Sequence, residues 1–186
     1  MIGDWIMTKR CSVAILPVCL YFAVISSSFA QVSQPMPKTE GESLAGNKVV
    51  LPDVASGKVA VLIFGFTKAS KVPTAAWANK LRADFSARPG FELYQLPVLE
   101  DVPRLLRHMV ISGIRNGVPD NLRGHFVPIL QGESELKKLV HYSEADDAYL
   151  VILGRAGNIA QQIHGTLNDA DYAQVQSAIE LLLKQN

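Results

Sequence analysis

Residues 58–66 read KVAVLIFGF, a nearly unbroken β-branched and aromatic run, and residues 67–85 continue as TKASKVPTAAWANKLRADF. A segment apolar on both faces is what a central strand covered by helices requires. The period then changes: Val72, Ala76, Trp77, Leu81 and Phe85 recur at spacings of four, one, four and four, drawing one stripe along a helix that begins at Ser70. Ser70 is placed as an N-cap, with its hydroxyl available to an orphan N–H. Pro73 falls in the first turn, where its missing donor costs little.

Working outward, Asn47 to Pro52 reads as a short strand before the Ser56-Gly57 turn, and Pro89-Gly90 stops the helix. Phe91 to Leu99 is a further strand. Residues 103–115 form a second helix, with Leu105, Leu106, Met109, Val110 and Ile114 on one side, followed by the turn residues NGVPDN. Gly124 to Leu130 reads as extended and Glu133 to Val140 as an amphipathic helix. The last 40 residues give a hairpin, Ala148 to Leu153 and Asn158 to His164, and a closing helix to Lys184 capped by Asn168. A β-α-β crossover, an antiparallel hairpin and a terminal helix make the thioredoxin topology, an α/β three-layer sandwich with a central mixed sheet. A different mixed α/β sandwich stays open at this point.

The chain has 186 residues, a net charge of +1 and two cysteines. Cys11 and Cys19 both lie in an uncharged apolar stretch, Cys11 to Ile25, preceded by Lys9 and Arg10 and followed by SSSFA with Ser28 and Ala30 at an A-x-A-like site. Residues 1–30 therefore read as a signal peptide cut before Gln31. The competing reading is an uncleaved membrane anchor. Neither cysteine has the context of a lipid-attachment site. Cleavage leaves no cysteine, which excludes disulfides, dithiol chemistry, thiolate nucleophiles and cysteine metal ligation. It also lowers Lys plus Arg from 18 to 16 and Asp plus Glu from 17 to 16, for a net charge of 0. Such a chain has no global field for nucleic acid or for an acidic membrane, and aromatics interleaved with basic residues are missing. Residues 31–43, polar and carrying two prolines, read as a flexible linker, and 44–186 as one domain.

The run LIFGFTKASKVPT, Leu62 to Thr74, resembles the active-site segment of thioredoxin-like proteins and most closely that of the Sco copper-chaperone branch. Phe64, Gly65, Phe66 and Thr67 match that family's FGFT, while Ala69 and Pro73 stand where its two cysteines would be. The family's histidine ligand falls at or near Glu144, with His141 three residues earlier. The resemblance thus implies the scaffold and argues against its Cu(I) chemistry, which selects thiolates. A second, looser resemblance is to the thioredoxin-like assembly factor of mitochondrial ATP synthase, carried by Trp77, by VPDNLRGHF from Val118 to Phe126, and by Asp147-Ala148-Tyr149-Leu150 leading through Gly157-Asn158-Ile159 to Gly165. Members of that family lack the dithiol and act by binding.

Candidate functional residues follow. Ser70 and Thr67 are hydroxyl candidates for catalysis, although a serine nucleophile needs a base oriented by a third group. Lys68 and Lys71, with Thr67 and Ser70 at a helix N-terminus, could hold an anion. Arg104, Arg107, Arg115 and Arg123 against Asp120 make the most uneven charge, +3, suited to an acidic partner or lipid headgroups. His108, His125, His141 and His164 show no metal-ligand spacing. A site assembled from His125 and His141 with Glu144 or Asp146, and a cation loop of Glu144, Asp146 and Asp147, are weighed against solvated turns. No metal and no cofactor are expected. The expectation is a periplasmic or secreted, non-catalytic thioredoxin-like domain that binds or assembles an envelope or membrane protein, with no dithiol oxidoreductase or peroxidase activity. The alternative is a thiol-independent enzyme using a hydroxyl in the same pocket.

Overall fold

The computed structural model describes residues 34–185; the signal-peptide reading of residues 1–30 and both cysteines lie outside them. A four-stranded sheet in the order β4-β3-β5-β6 forms the centre. Its strands are β3 (Val59–Gly65), β4 (Phe91–Pro97), β5 (Ala148–Leu153) and β6 (Ile159–Gly165), preceded in the chain by a two-stranded hairpin of β1 (Thr39–Glu42) and β2 (Lys48–Leu51). β3 runs parallel to β4, while β5 lies antiparallel to both β3 and β6.

Alternation along β3 divides the interior into two cores. Val59, Val61 and Ile63 face helices α1 (Lys71–Phe85) and α4 (Asp169–Lys184), meeting Trp77, Leu81, Phe85, Val175 and Ile179. Ala60, Leu62 and Phe64 face the opposite layer, which holds Leu51, Val127, Ile129 and helix α3 (Glu133–Leu139) through Leu136 and Leu139. Gly41 permits that layer to close, since a Cβ there would stand 2.6 Å from Val127 Cγ1. Asn168 caps α4 as the sequence indicates, accepting from the N–H of Asp171 at 3.0 Å.

Three expectations need correction. Residues 34–43 are not a free linker: Ile159 N–H donates to Gln34, Pro35 bridges Asn158, Met36 and Ser43 are buried, and residues 39–42 are β1. The pattern hides this because Thr39-Glu40-Gly41-Glu42 is polar, and it is held by ladder hydrogen bonds to β2 rather than by apolar burial. The α1 stripe is Pro73, Trp77, Ala78, Leu81 and Phe85, whereas Val72 is 76% exposed. At 3.6 residues per turn, Val72 falls about 140° from Trp77, on the far side. Ser70 sits before α1 but its backbone is already helical, and its side chain makes no cap. As a separate finding, helix α2 (Arg104–Gly117) buries no residue, so its apolar side does not serve the core.

Candidate functional site

β3 ends at Gly65 and its antiparallel neighbour β5 begins at Ala148, with Phe64 paired to Tyr149, so the loop after β3 and the loop before β5 meet at one end of the sheet. The Thr67 hydroxyl makes that junction by donating to the carbonyl of Ala145 at 2.9 Å. Thr67 Oγ1 also accepts from Ser70 N–H at 3.2 Å. Ser70 Oγ donates to the Thr67 carbonyl at 2.8 Å and accepts from Thr67 N–H at 3.4 Å. Ser70 is 1% exposed. A Cβ on Gly65 would lie 2.7 Å from Ser70 Oγ, so the glycine of the FGF sequence is what lets the serine hydroxyl fold under the strand end. Both hydroxyls are thereby spent on backbone groups, Ser70 on its own loop and Thr67 on the facing one.

Tyr149 orders the facing loop. It is fully buried, and its hydroxyl accepts from the N–H groups of Ser143 and Glu144 at 3.0 and 2.8 Å while donating to the Glu144 carbonyl at 2.9 Å. Its ring stacks on Tyr142 and on His164 at 5.5 and 5.3 Å between centroids, and meets Phe66 edge-on at 5.5 Å. His164 Nδ1 pairs with Asp147 Oδ2 at 2.8 Å. A histidine held by a carboxylate is the base-and-orienter half of a hydrolytic triad. The two hydroxyls expected as nucleophiles, Ser70 and Thr67, bond to backbone groups instead.

Beside the aromatic cluster lies an open cleft of about 730 Å³, lined by Glu100, Asp101, Glu133, Ser134, Lys137, Lys138, His141 and Tyr142. Lys137 Nζ pairs with Glu133 Oε1 at 2.5 Å and lies 4.8 Å above the Tyr142 ring. The hydrogen bond to Glu133 raises the Lys137 pKa above that of an ordinary lysine. Glu133 itself is buried, its N–H held by Glu100 at 2.6 Å and its Oε2 without a partner.

The positions expected to carry chemistry are dispersed. Ala69 occupies the exposed loop and Pro73 the buried first turn of α1. Lys68 and Lys71 are exposed at the loop's rim. Arg107 turns to backbone, donating to Val102 and Glu100 at 2.9 and 2.7 Å, and Arg123 pairs with Asp120 at 2.8 Å and donates to Val118 and Arg115. Arg104 and Arg115 extend into solvent. His125 binds Glu92 at 2.6 Å whereas His141 lines the cleft, so they do not form a shared site. Asp147 of the acidic loop is committed to His164. Among the described residues no three His, Cys, Asp or Glu side chains gather to hold a metal ion.

The sequence reading missed Tyr149, the Asp147–His164 pair and buried Glu133. Tyr149 was legible in principle, as the one side chain with a polar tip in the otherwise apolar AYLVIL. A buried phenol of that kind needs partners.

Solved structures similar to this chain share its architecture. A protein assigned as thiol:disulfide interchange protein DsbE from Chlorobium tepidum is 18% identical with a TM-score of 0.56, over 81% of this chain and 96% of that one. BsSco, a member of the Sco family of cytochrome c oxidase assembly proteins, is 13% identical with a TM-score of 0.59, over 83% of this chain and 96% of its own. The exposed lipoprotein thioredoxin Etrx1 from Streptococcus pneumoniae is 14% identical with a TM-score of 0.53, over 77% and 98%. No family model and no curated protein matches the sequence. The fold is thioredoxin-like, a mixed sheet between helical layers.

Proposed function

We propose that this chain is an exported, non-catalytic thioredoxin-like domain that binds a membrane or envelope protein and assists its assembly. The observation that carries the reading is the loop from Thr67 to Ser70. Ala69 and Pro73 stand where the resembling family keeps its thiols, and the hydroxyls of Thr67 and Ser70 are tied to backbone groups. What stays available there is shape and charge, with Lys68 and Lys71 exposed in the loop that follows Phe66. We assign these two lysines to the partner contact, and Arg107 and Arg123 to holding the ends of α2.

BsSco belongs to a family of assembly proteins, which supports an assembly role on this scaffold. The apolar segment Cys11 to Ile25, followed by small residues, supports export through a signal peptide of residues 1–30. The domain then occupies 44–186 together with the strand that begins at Thr39.

The rival reading, an enzyme using Ser70 or Thr67, is favoured by one observation, the Asp147–His164 pair near the same sheet end. Capture of membrane proteins by tagged chain separates the two. The binding reading expects Ser70→Ala to retain the partner and Lys68→Glu/Lys71→Glu to lose it. A reaction catalysed by the unaltered chain and abolished by Ser70→Ala would overturn it.

A further inference from the structure

Helix α2 is the one helix of eight or more described residues that buries nothing, yet it carries a full apolar side. Leu105 is 96% exposed, Met109 65% and Leu106 46%. At 3.6 residues per turn these three fill a sector of about 100°, while Arg104, His108 and Arg115 fall within about 40° of one another along its edge. Arg104 and Arg115 stand about 17 Å apart along the axis at 1.5 Å per residue. No acidic residue occurs between Val102 and Pro119. The inward side, with Val110 and Ile114, is only half-buried, and the helix ends are fastened by Arg107 and Arg123 through backbone carbonyls.

We infer that α2 is an interfacial helix that docks this domain on an anionic lipid surface, with Leu105, Leu106 and Met109 at the headgroup and acyl boundary and Arg104 and Arg115 on lipid phosphates. The charge pattern selects this occupant. A second copy would bring two rows of arginine together with no carboxylate between them. The chain's own apolar segment, Cys11 to Ile25, offers no acidic side chain and is preceded by Lys9 and Arg10. A protein partner must present a groove matched to a free-standing ridge, whereas a bilayer accepts an apolar ridge with a basic edge without a matching shape. The inference is independent of the partner contact assigned to Lys68 and Lys71, and substitutions at the two places separate them.

The test is local, so that attachment through residues 1–30 does not itself produce the result. Full-length chain carrying Trp5→Phe and Met109→Trp is mixed with vesicles of brominated phosphatidylcholine, with or without phosphatidylglycerol. Trp77, fully buried, stays unquenched. The expected result is quenching of position 109 in the anionic vesicles and little in the zwitterionic ones. Arg104→Gln/Arg115→Gln in the same background should weaken the effect about thirtyfold, roughly fivefold per cation at an anionic surface. Slower amide exchange of α2 in the unaltered chain on adding anionic vesicles gives a second reading that needs no substitution. Absence of quenching and protection in anionic vesicles overturns the inference, as does equal quenching in both vesicle types. Protection of α2 before any vesicle is added would assign the face to the chain's own segment or to a second copy. Protection by a soluble acidic polypeptide but not by vesicles would assign it to an acidic protein.

Discussion

Ser70 and Thr67 hold each other through three contacts: Ser70 Oγ to the Thr67 carbonyl at 2.8 Å, Ser70 N–H to Thr67 Oγ1 at 3.2 Å and Thr67 N–H to Ser70 Oγ at 3.4 Å. In this loop the polar side chains are structural. Ser70→Ala is expected to lower stability by about 1–2 kcal/mol, the usual effect of losing a part-buried hydrogen bond and leaving its partners short. Chemical denaturation of the variant checks this, and partner capture should be unchanged.

Gly65→Ala places a methyl 2.7 Å from Ser70 Oγ and 3.1 Å from Thr74 Cγ2. Overpacking of this kind costs about 1–3 kcal/mol. Because one clash is with the serine oxygen, Gly65→Ala/Ser70→Ala should be less destabilised than the sum of the single variants, and a double-mutant cycle measures the difference. Strict additivity would show that the two residues do not press on each other.

Tyr149→Phe removes a hydroxyl that serves two N–H groups and one carbonyl of the loop before β5. The expected loss is about 1–3 kcal/mol. The same substitution should speed amide exchange at Ser143 and Glu144 while leaving the β3–β5 ladder protected.

Glu92 gives a pH signature. Burial pushes its carboxyl upward, but hydrogen bonds from Lys58 and His125 outweigh that and leave its pKa below an ordinary glutamate's. Since the folded-state value is depressed, the stabilisation is present above about pH 4.5 and is lost as pH falls through the folded value. Glu92→Gln should therefore flatten the acid side of the stability curve. At the alkaline end, burial and then the Glu92 charge push Tyr94 up to about 12, so its ionisation should trail that of exposed tyrosines in an absorbance titration.

The central sheet was legible because β3 and β5 are apolar runs that call for burial on both faces, and because Asn168 and Pro89-Gly90 mark helix ends chemically. β1 was not, since Thr39 to Glu42 owes its place to a backbone ladder that side-chain pattern does not record. The apolar side of α2 was visible in the sequence, but periodicity shows only that a face exists, and here it turns away from the core. At the site, the sequence shows directly that Ala69 and Pro73 carry no thiol. The engagement of Ser70 with Thr67 depends on the close approach allowed by Gly65, and the Asp147–His164 pair depends on the register of β5 against β6.

The measurement that bears most directly on the central claim is capture from detergent-solubilised membranes, run in parallel with a disulfide-reduction assay, using the full chain and its Ser70→Ala and Lys68→Glu/Lys71→Glu forms. The expected result is one membrane protein retained in near-equal amount by the unaltered and Ser70→Ala chains, lost from the lysine-reversed chain, with no reduction of insulin by any of them. Insulin reduction by the unaltered chain, or a substrate turnover that Ser70→Ala abolishes, would contradict the account.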